Sequence, residues 1–394
     1  MKVICDRGAL LDAVNLISGV VAARTPRPQL QCVKLTAKKS GKAGELTMAA
    51  TDAEISLRLR TTQVDVQDAG EALIPADKLR QIVAAEEGDA TLTIEAEQDA
   101  VLIRGGDARF KVLGYPASEF PPIPDFERIA AGKEPGVKAR TVFTHSAGAL
   151  NQMVARTLFA TARENSRYAI NGVLLKRDGK RLEMVATDGR RLALCRQNVA
   201  GGKEKDEAGI SCIVPTKALA LLQKLFEDPE APVQIAITEN QILFSLGSAD
   251  EGGNTAVLTS NLVEGTFPPY EDVIPKDQDK RIVFDRDVLN SAVRRAALLT
   301  NEESRGVRMR FKKSDKQVEF SSRAPEMGEA EINVDVSSYE GDDIEIGFNP
   351  TFVTDALKVI PDPEVIMELK APNKPGLIKS GTDFVYVVMP VNLQ

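Results

Sequence analysis

Residues Met184-Val185-Ala186-Thr187-Asp188-Gly189-Arg190-Arg191-Leu192-Ala193-Leu194-Cys195 read as strand, turn, strand. Apolar side chains alternate on both sides of Thr187-Asp188-Gly189, a turn signal whose glycine accepts the left-handed backbone of a tight reversal. A shorter relative, Met48-Ala49-Ala50-Thr51-Asp52, lies 136 residues earlier. The echo marks a repeat. A period of about 135–140 residues is too long for a solenoid unit and suits tandem domains.

Three copies follow the same order of signals. The first opens on Asp6, a candidate helix cap, with Leu10, Val14, Ile17 and Val21 on one helical face. Short strands follow, and Ile74-Pro75-Ala76 opens a second helix before the copy closes on Phe120-Pro121-Pro122. In the second, Ser146 is a plausible cap for a helix bearing Leu150, Met153, Val154, Thr157 and Leu158. Ile213-Val214-Pro215-Thr216 begins its second helix, and Phe267-Pro268-Pro269 closes it. The third starts at Asp285, with Val288, Leu289, Ala292 and Ala296 on one face, and Phe348-Asn349-Pro350-Thr351 opens its second helix. The expected fold is α+β: three similar tandem domains over 1–130, 138–276 and 280–394, each with two helices packed on antiparallel sheet. The linkers are Ala130–Arg140 and Pro275–Arg281.

Composition fits this. At about 100–200 residues per domain, 394 residues hold two to four domains. The 43% hydrophobic and 27% charged fractions are those of an ordinary globular chain, so disorder does not dominate. None of Cys5, Cys32, Cys195 and Cys212 is in a C-x-x-C spacing, and each lies in an apolar run. They read as small buried hydrophobes in a reducing compartment. The amino terminus has no leader pattern and no apolar run reaches membrane-span length, so a cytoplasmic location is expected.

The net charge of −7 by itself argues against nucleic acid, but its distribution does not. The six expected helical segments, 7–24, 76–87, 146–163, 216–226, 286–300 and 350–358, together carry +6, which leaves −13 for the rest. Helical periodicity puts Arg156 and Arg163 opposite Leu150, Val154 and Leu158, and Arg294 opposite Val288, Ala292 and Ala296. Lys217 and Lys224 add charge to the second helix of the middle copy. Helices sharing one side would present a positive surface able to hold a phosphate backbone without reading sequence, or they are ordinary solvated faces.

No residue pattern argues for catalysis, although none excludes an enzyme. His145 is the only histidine, which removes histidine triads and HExxH zinc sites and leaves a surface or capping residue before a helix. There is no Walker A or GxGxxG sequence, and nothing calls for a cofactor or metal. Asp52 and Asp188 could form a carboxylate pair, but aspartate at a strand-turn junction is usually a turn residue bonding local backbone.

Three runs carry a family likeness: Arg167-Tyr168-Ala169-Ile170-Asn171-Gly172, Ala186-Thr187-Asp188-Gly189-Arg190-Arg191-Leu192-Ala193, and Leu258 to Pro268. So do Arg295 to Glu302, Glu345-Ile346-Gly347-Phe348-Asn349 and Tyr386-Val387-Val388-Met389-Pro390. Collinear over the whole chain, they resemble the bacterial DNA sliding clamp family, the beta subunit of DNA polymerase III.

The resemblance implies a non-catalytic homodimeric ring in clamp architecture, with helices lining a hole that encircles double-stranded DNA. It slides without sequence specificity and tethers the replicative polymerase, the clamp loader and other replication and repair proteins through a short peptide motif. The implied peptide pocket is walled by Ile170, Thr187, Gly189, Arg190, Arg191, Leu192, Pro268, Val273, Val388, Met389, Pro390 and Val391. Apolar walls with a few polar rims suit a short extended peptide. DNA-facing residues by resemblance include Arg24 and Tyr168, joining Arg156, Arg163, Lys217, Lys224 and Arg294 from the charge pattern. The implied subunit interface pairs Phe110 and Val112 with Leu298 and Leu299, a pair that helix-end packing would also explain. The chain departs from the family at Asp272 and Asn392, where a base is common, at Glu164 and Ala169, and at Gln394. The alternatives are a three-domain scaffold that never meets DNA and a carboxylate enzyme using Asp52 and Asp188.

Overall fold

The computed structural model describes residues 1–22, 24–40, 43–162, 170–199, 209–247, 254–300, 306–314 and 316–392. Its helices are α1 (Arg7–Ser18), α2 (Ala76–Ala85), the short α3 (Phe126–Ala130), α4 (Ala147–Leu158), α5 (Thr216–Gln223), α6 (Arg286–Ala296) and α7 (Pro350–Lys358). No helix among the described residues is long and apolar enough to cross a membrane.

Two compact units emerge, one of Met1–Leu150, Val199–Ile210 and Lys217–Leu262, the other of Asn151–Asn198, Ser211–Thr216 and Val263–Gln394. In the first, a five-stranded sheet places Lys2–Asp6 between Val64–Asp68 and Thr91–Glu97 and ends on the edge strand Arg109–Leu113. Its eight-stranded sheet runs from Thr141–Ser146 through Thr255–Asn261, across to Ile55–Thr61, and ends on Gly70–Pro75. The second unit has a nine-stranded sheet in which Arg191–Asn198 pairs with Phe384–Val388. Its four-stranded sheet has Gly328–Asp335 at one edge. The strand pairings are antiparallel, such as Arg60 opposite Thr255 and Arg191 opposite Val388.

These sheets do not stop where the sequence repeat stops. A strand of the first copy joins one of the second, and a strand of the second joins one of the third. Each ladder satisfies backbone groups that would otherwise form an open edge. The middle copy therefore supplies strands to both large sheets, and the compact units cut through it.

Each copy opens one element earlier than its helix periodicity suggests. Lys2–Asp6, Thr141–Ser146 and Lys280–Asp285 are strands that run straight into α1, α4 and α6. The caps are as expected: Asp6 accepts from the Ala9 amide at 2.8 Å, and Asp285 from the Asp287 and Val288 amides, both at 2.9 Å. Such caps contribute about 1 kcal/mol each. His145 belongs to the strand and is only 9% exposed, so it is neither a surface residue nor a cap. On α6, Val288 points outward at 44% exposure and Val293 takes its place in the core with Leu289, Ala292 and Ala296.

The first linker is part of the core. Asp125 caps α3, whose Phe126 and Ile129 bury against Ala236 and Leu243, with Ala130, Val137 and Ala139 packed alongside. All four cysteines are free and buried. Burial, helped by the Asp6 charge, pushes the Cys5 thiol up to about 12; burial pushes Cys32 and Cys195 up to about 11, which leaves them unreactive.

Candidate functional site

The two Thr-Asp turns are built alike. In the second unit, the Thr187 hydroxyl donates to the Arg191 carbonyl at 2.7 Å and accepts from the Gly189 amide at 3.1 Å. Asp188 Oδ1 accepts from the Arg190 and Arg191 amides at 2.9 and 3.0 Å. In the first unit, Thr51 bonds Ile55 and Ala53 in the same way, and Asp52 Oδ1 accepts from the Glu54 and Ile55 amides. The third turn residue is left-handed in both, Gly189 at φ +84° and Ala53 at φ +79°. Both carboxylates are thus spent on local backbone and on a cation each, Arg191 for Asp188 and Lys217 for Asp52. A catalytic role for this pair is not what their geometry offers.

Arg191 makes the second turn a structural hub. Its guanidinium donates to Asp188 Oδ2 at 2.9 Å, Asp355 Oδ2 at 3.0 Å and the Phe159 carbonyl at 2.8 Å. It stacks 4.6 Å from the Phe352 ring centroid and 5.4 Å from that of Phe159. With its side chain 10% exposed, the charge is consumed within the fold and binds α7 to the hairpin.

At the foot of this turn lies a cavity of about 200 Å³. Nine of the twelve expected pocket residues line it: Ile170, Thr187, Gly189, Arg190, Arg191, Leu192, Pro268, Val273 and Met389. Three do not. Val388 is 1% exposed and its side chain falls on the other face of its strand, while the neighbouring Val387 lines the cavity instead. Strand alternation carries that information, since Val387 shares its face with Val385. Pro390 and Val391 turn away from the cavity, where Val391 donates to the Gly347 carbonyl at 2.9 Å after Met389 has bonded the Arg190 carbonyl. Its exposed apolar side chains are Val273, 45% exposed, and Met389, 39% exposed.

Tyr270, which the sequence reading omits, also lines the cavity. Its hydroxyl donates to Glu183 Oε2 at 3.1 Å, and Glu183 Oε1 accepts from Arg196 and Arg181, both at 2.8 Å. Burial raises the Glu183 pKa, but the hydrogen bonds from Arg196 and Tyr270 and the two guanidinium charges outweigh it and hold the carboxyl below its ordinary value. Burial first, and then the Glu183 charge, push the Tyr270 phenol up. The ring is thereby fixed as a neutral, oriented wall. A Phe-Pro-Pro-Tyr sequence alone gives no sign of the distant Glu183.

Among the expected DNA-facing residues, Arg24, Lys217, Lys224 and Arg294 are exposed. Arg156 is not. It is 2% exposed, donates to Asp383 at 2.7 Å and lies 5.4 Å from the Phe384 ring centroid. Helical periodicity places it opposite one core face, but the chain covers that second face too, so Arg156 is an internal ion pair. Arg163 and Tyr168 lie outside the described residues, as do Glu164, Ala169 and Gln394.

Phe110 and Val112 are half-buried on the edge strand Arg109–Leu113, beside Leu113 at 74% exposure. Leu298 is 72% exposed and Leu299 half-buried, so helix-end core packing does not account for Leu298. Met327, 52% exposed, leads into the edge strand Gly328–Asp335 of the same unit.

Family models match in three places, described as the DNA polymerase III beta subunit N-terminal domain over 1–124, central domain over 146–269 and C-terminal domain over 271–392. The beta sliding clamp of Pseudomonas putida is 34% identical over 390 residues, covering 98% of this chain and 99% of that one. The beta sliding clamp of Escherichia coli K12 is 31% identical over 395 residues, covering both chains fully. A crystal structure of the Pseudomonas aeruginosa sliding clamp bound to griselimycin superposes over the full length of both chains with a TM-score of 0.87 at 34% identity.

Proposed function

The chain belongs to the DNA polymerase III beta subunit family, and from that premise we propose how its residues serve a sliding clamp. It is a non-catalytic processivity factor rather than an enzyme. Two chains close head to tail into a cytoplasmic ring around duplex DNA, with domains at 1–130, 138–276 and 280–394. Arg24, Lys217, Lys224 and Arg294, with Arg163 and Tyr168, face the phosphates, while Arg156 holds the fold. Sparse contacts and a net charge of −7 keep binding weak and blind to sequence, so that topology rather than affinity retains the clamp.

The observation that carries the partner site is the apolar cavity beneath Gly189–Leu192. Val273 and Met389 offer apolar surface at its mouth, Tyr270 and Leu192 its wall, and the exposed Arg190 a polar rim. A short peptide with Leu or Phe anchors, carried by the replicative polymerase, the clamp loader or repair proteins, fits that chemistry.

The ring closes where Phe110 and Val112 of one subunit meet Leu298 and Leu299 of the next, with the edge strands Arg109–Leu113 and Gly328–Asp335 alongside. Two such contacts related by a two-fold close the ring. Sedimentation tests it: the native protein runs at about twice its 42.7 kDa chain mass, and Leu298→Asp, which would bury an unpaired charge, runs as monomer. A dimeric Leu298→Asp contradicts this interface.

A further inference from the structure

The larger of the two apolar cavities described here lies elsewhere, in the first unit, and none of the residues assigned above lines it. It encloses about 320 Å³, against about 200 Å³ beneath the Arg191 turn. One wall is the stripe Ala9, Ala13 and Leu16 of α1. Leu59 and Ala256, cross-strand partners where the first copy joins the second, line it as well. Its floor is apolar, from Leu10, Leu46, Met48, Leu225 and Leu246, all below 10% exposure.

The exposed charges of the rim are acidic. Asp6 and Asp12 stand on the α1 side, and Glu227 and Asp228 on the loop after α5, all four exposed. None is ion-paired to another described residue. Among the described lining residues the one cation, Arg60, is already held by Glu45 at 2.9 Å. Apolar surface framed by uncompensated carboxylates repels phosphate and acidic chains, and it attracts a ligand that brings both an apolar anchor and positive charge.

We propose that this groove is a second docking site, taking a short protein segment with a Leu or Phe anchor flanked by lysine or arginine. The apolar anchor enters between α1 and the Leu59 strand, and the flanking cations meet Asp12 and Asp228 across the mouth. The site is independent of the partner pocket beneath Gly189, so both can be filled at once.

The test uses the full chain and a fluorescein-labelled hexapeptide with a Leu-Phe pair between two lysines on each side, read by anisotropy. One control peptide replaces the lysines with glutamate, and the other replaces Leu-Phe with two serines. The expected result is saturable binding of the lysine-flanked probe that weakens about tenfold with either control. Read in the Val273→Ala, Met389→Ala background, where the partner pocket is already weakened, the double variant Asp12→Lys, Asp228→Lys, both on exposed positions, loses about tenfold as well. Ala13→Trp, which fills the groove without altering charge, also weakens the probe. The proposal is overturned if the serine or glutamate peptide binds equally, if the Asp12/Asp228 variant keeps full affinity in that background, or if no binding occurs there up to about 1 mM.

Discussion

The turns at Thr51–Ile55 and Thr187–Arg191 share a hydrogen-bond pattern down to the individual amide, yet only the second sits above the cavity of about 200 Å³. Each leads into a strand that carries its sheet from one repeat into the next. The difference begins one residue beyond the shared motif. Ile55 follows the first turn and buries in the core; Arg191 follows the second and gathers Asp188, Asp355 and two aromatic rings. Tyr270, Val273 and Met389 then wall a cavity against it. The repeat therefore supplies a reusable hairpin, and function resides in what the flanking chain brings to its foot.

Breaking the hub has the largest expected effect. Arg191→Ala leaves Asp188 and Asp355 without their shared cation and is expected to cost about 3–5 kcal/mol, read by chemical denaturation. Ile55→Val, at the matching position of the first turn, costs only about 1 kcal/mol. Equal costs would erase the distinction between the two turns.

The aspartates sharpen it. Asp188→Ala removes two backbone hydrogen bonds and a partly buried ion pair, for about 2–3 kcal/mol. Asp52→Ala loses the same two backbone bonds but a cation that is half in water, for about 1–2 kcal/mol. If Asp52 proves the costlier, the pairing with Arg191 is not what distinguishes the second turn.

Partner binding is the next test. Val273→Ala with Met389→Ala trims exposed apolar surface and is expected to weaken a Leu/Phe-anchored peptide by about tenfold, with folding stability unchanged within error. An unchanged titration removes the cavity from partner binding.

The smallest effect lies in the turn backbone. Ala53 and Gly189 hold nearly the same positive φ, which an alanine adopts only under strain. Ala53→Gly is expected to stabilise by up to about 1 kcal/mol and Gly189→Ala to destabilise by a similar amount. Thermal denaturation that reverses these signs contradicts the shared geometry.

Much of this was legible in residues. The Thr-Asp echo exposed the repeat, the apolar periodicities found six helices, and the family likeness located most of the cavity wall. What escaped depends on contacts between distant segments. Arg156 looks solvent-facing on a helical wheel because a wheel shows one core, whereas α4 is covered on a second side by Asp383 and Phe384. Val387 and not Val388 lines the cavity, a distinction that strand alternation carries but that a run of two valines obscures. Tyr270 owes its place to Glu183, 87 residues away in sequence. The sheets that run through the repeat boundaries were hidden because a strand's pattern does not name its neighbour.

The central claim, that topology and not affinity holds this protein on DNA, is tested most directly by loading it on nicked circular duplex and measuring retention by gel filtration before and after a single linearising cut. Retention on the circle and loss on linearisation at physiological salt is the predicted result. Equal retention on both forms contradicts it.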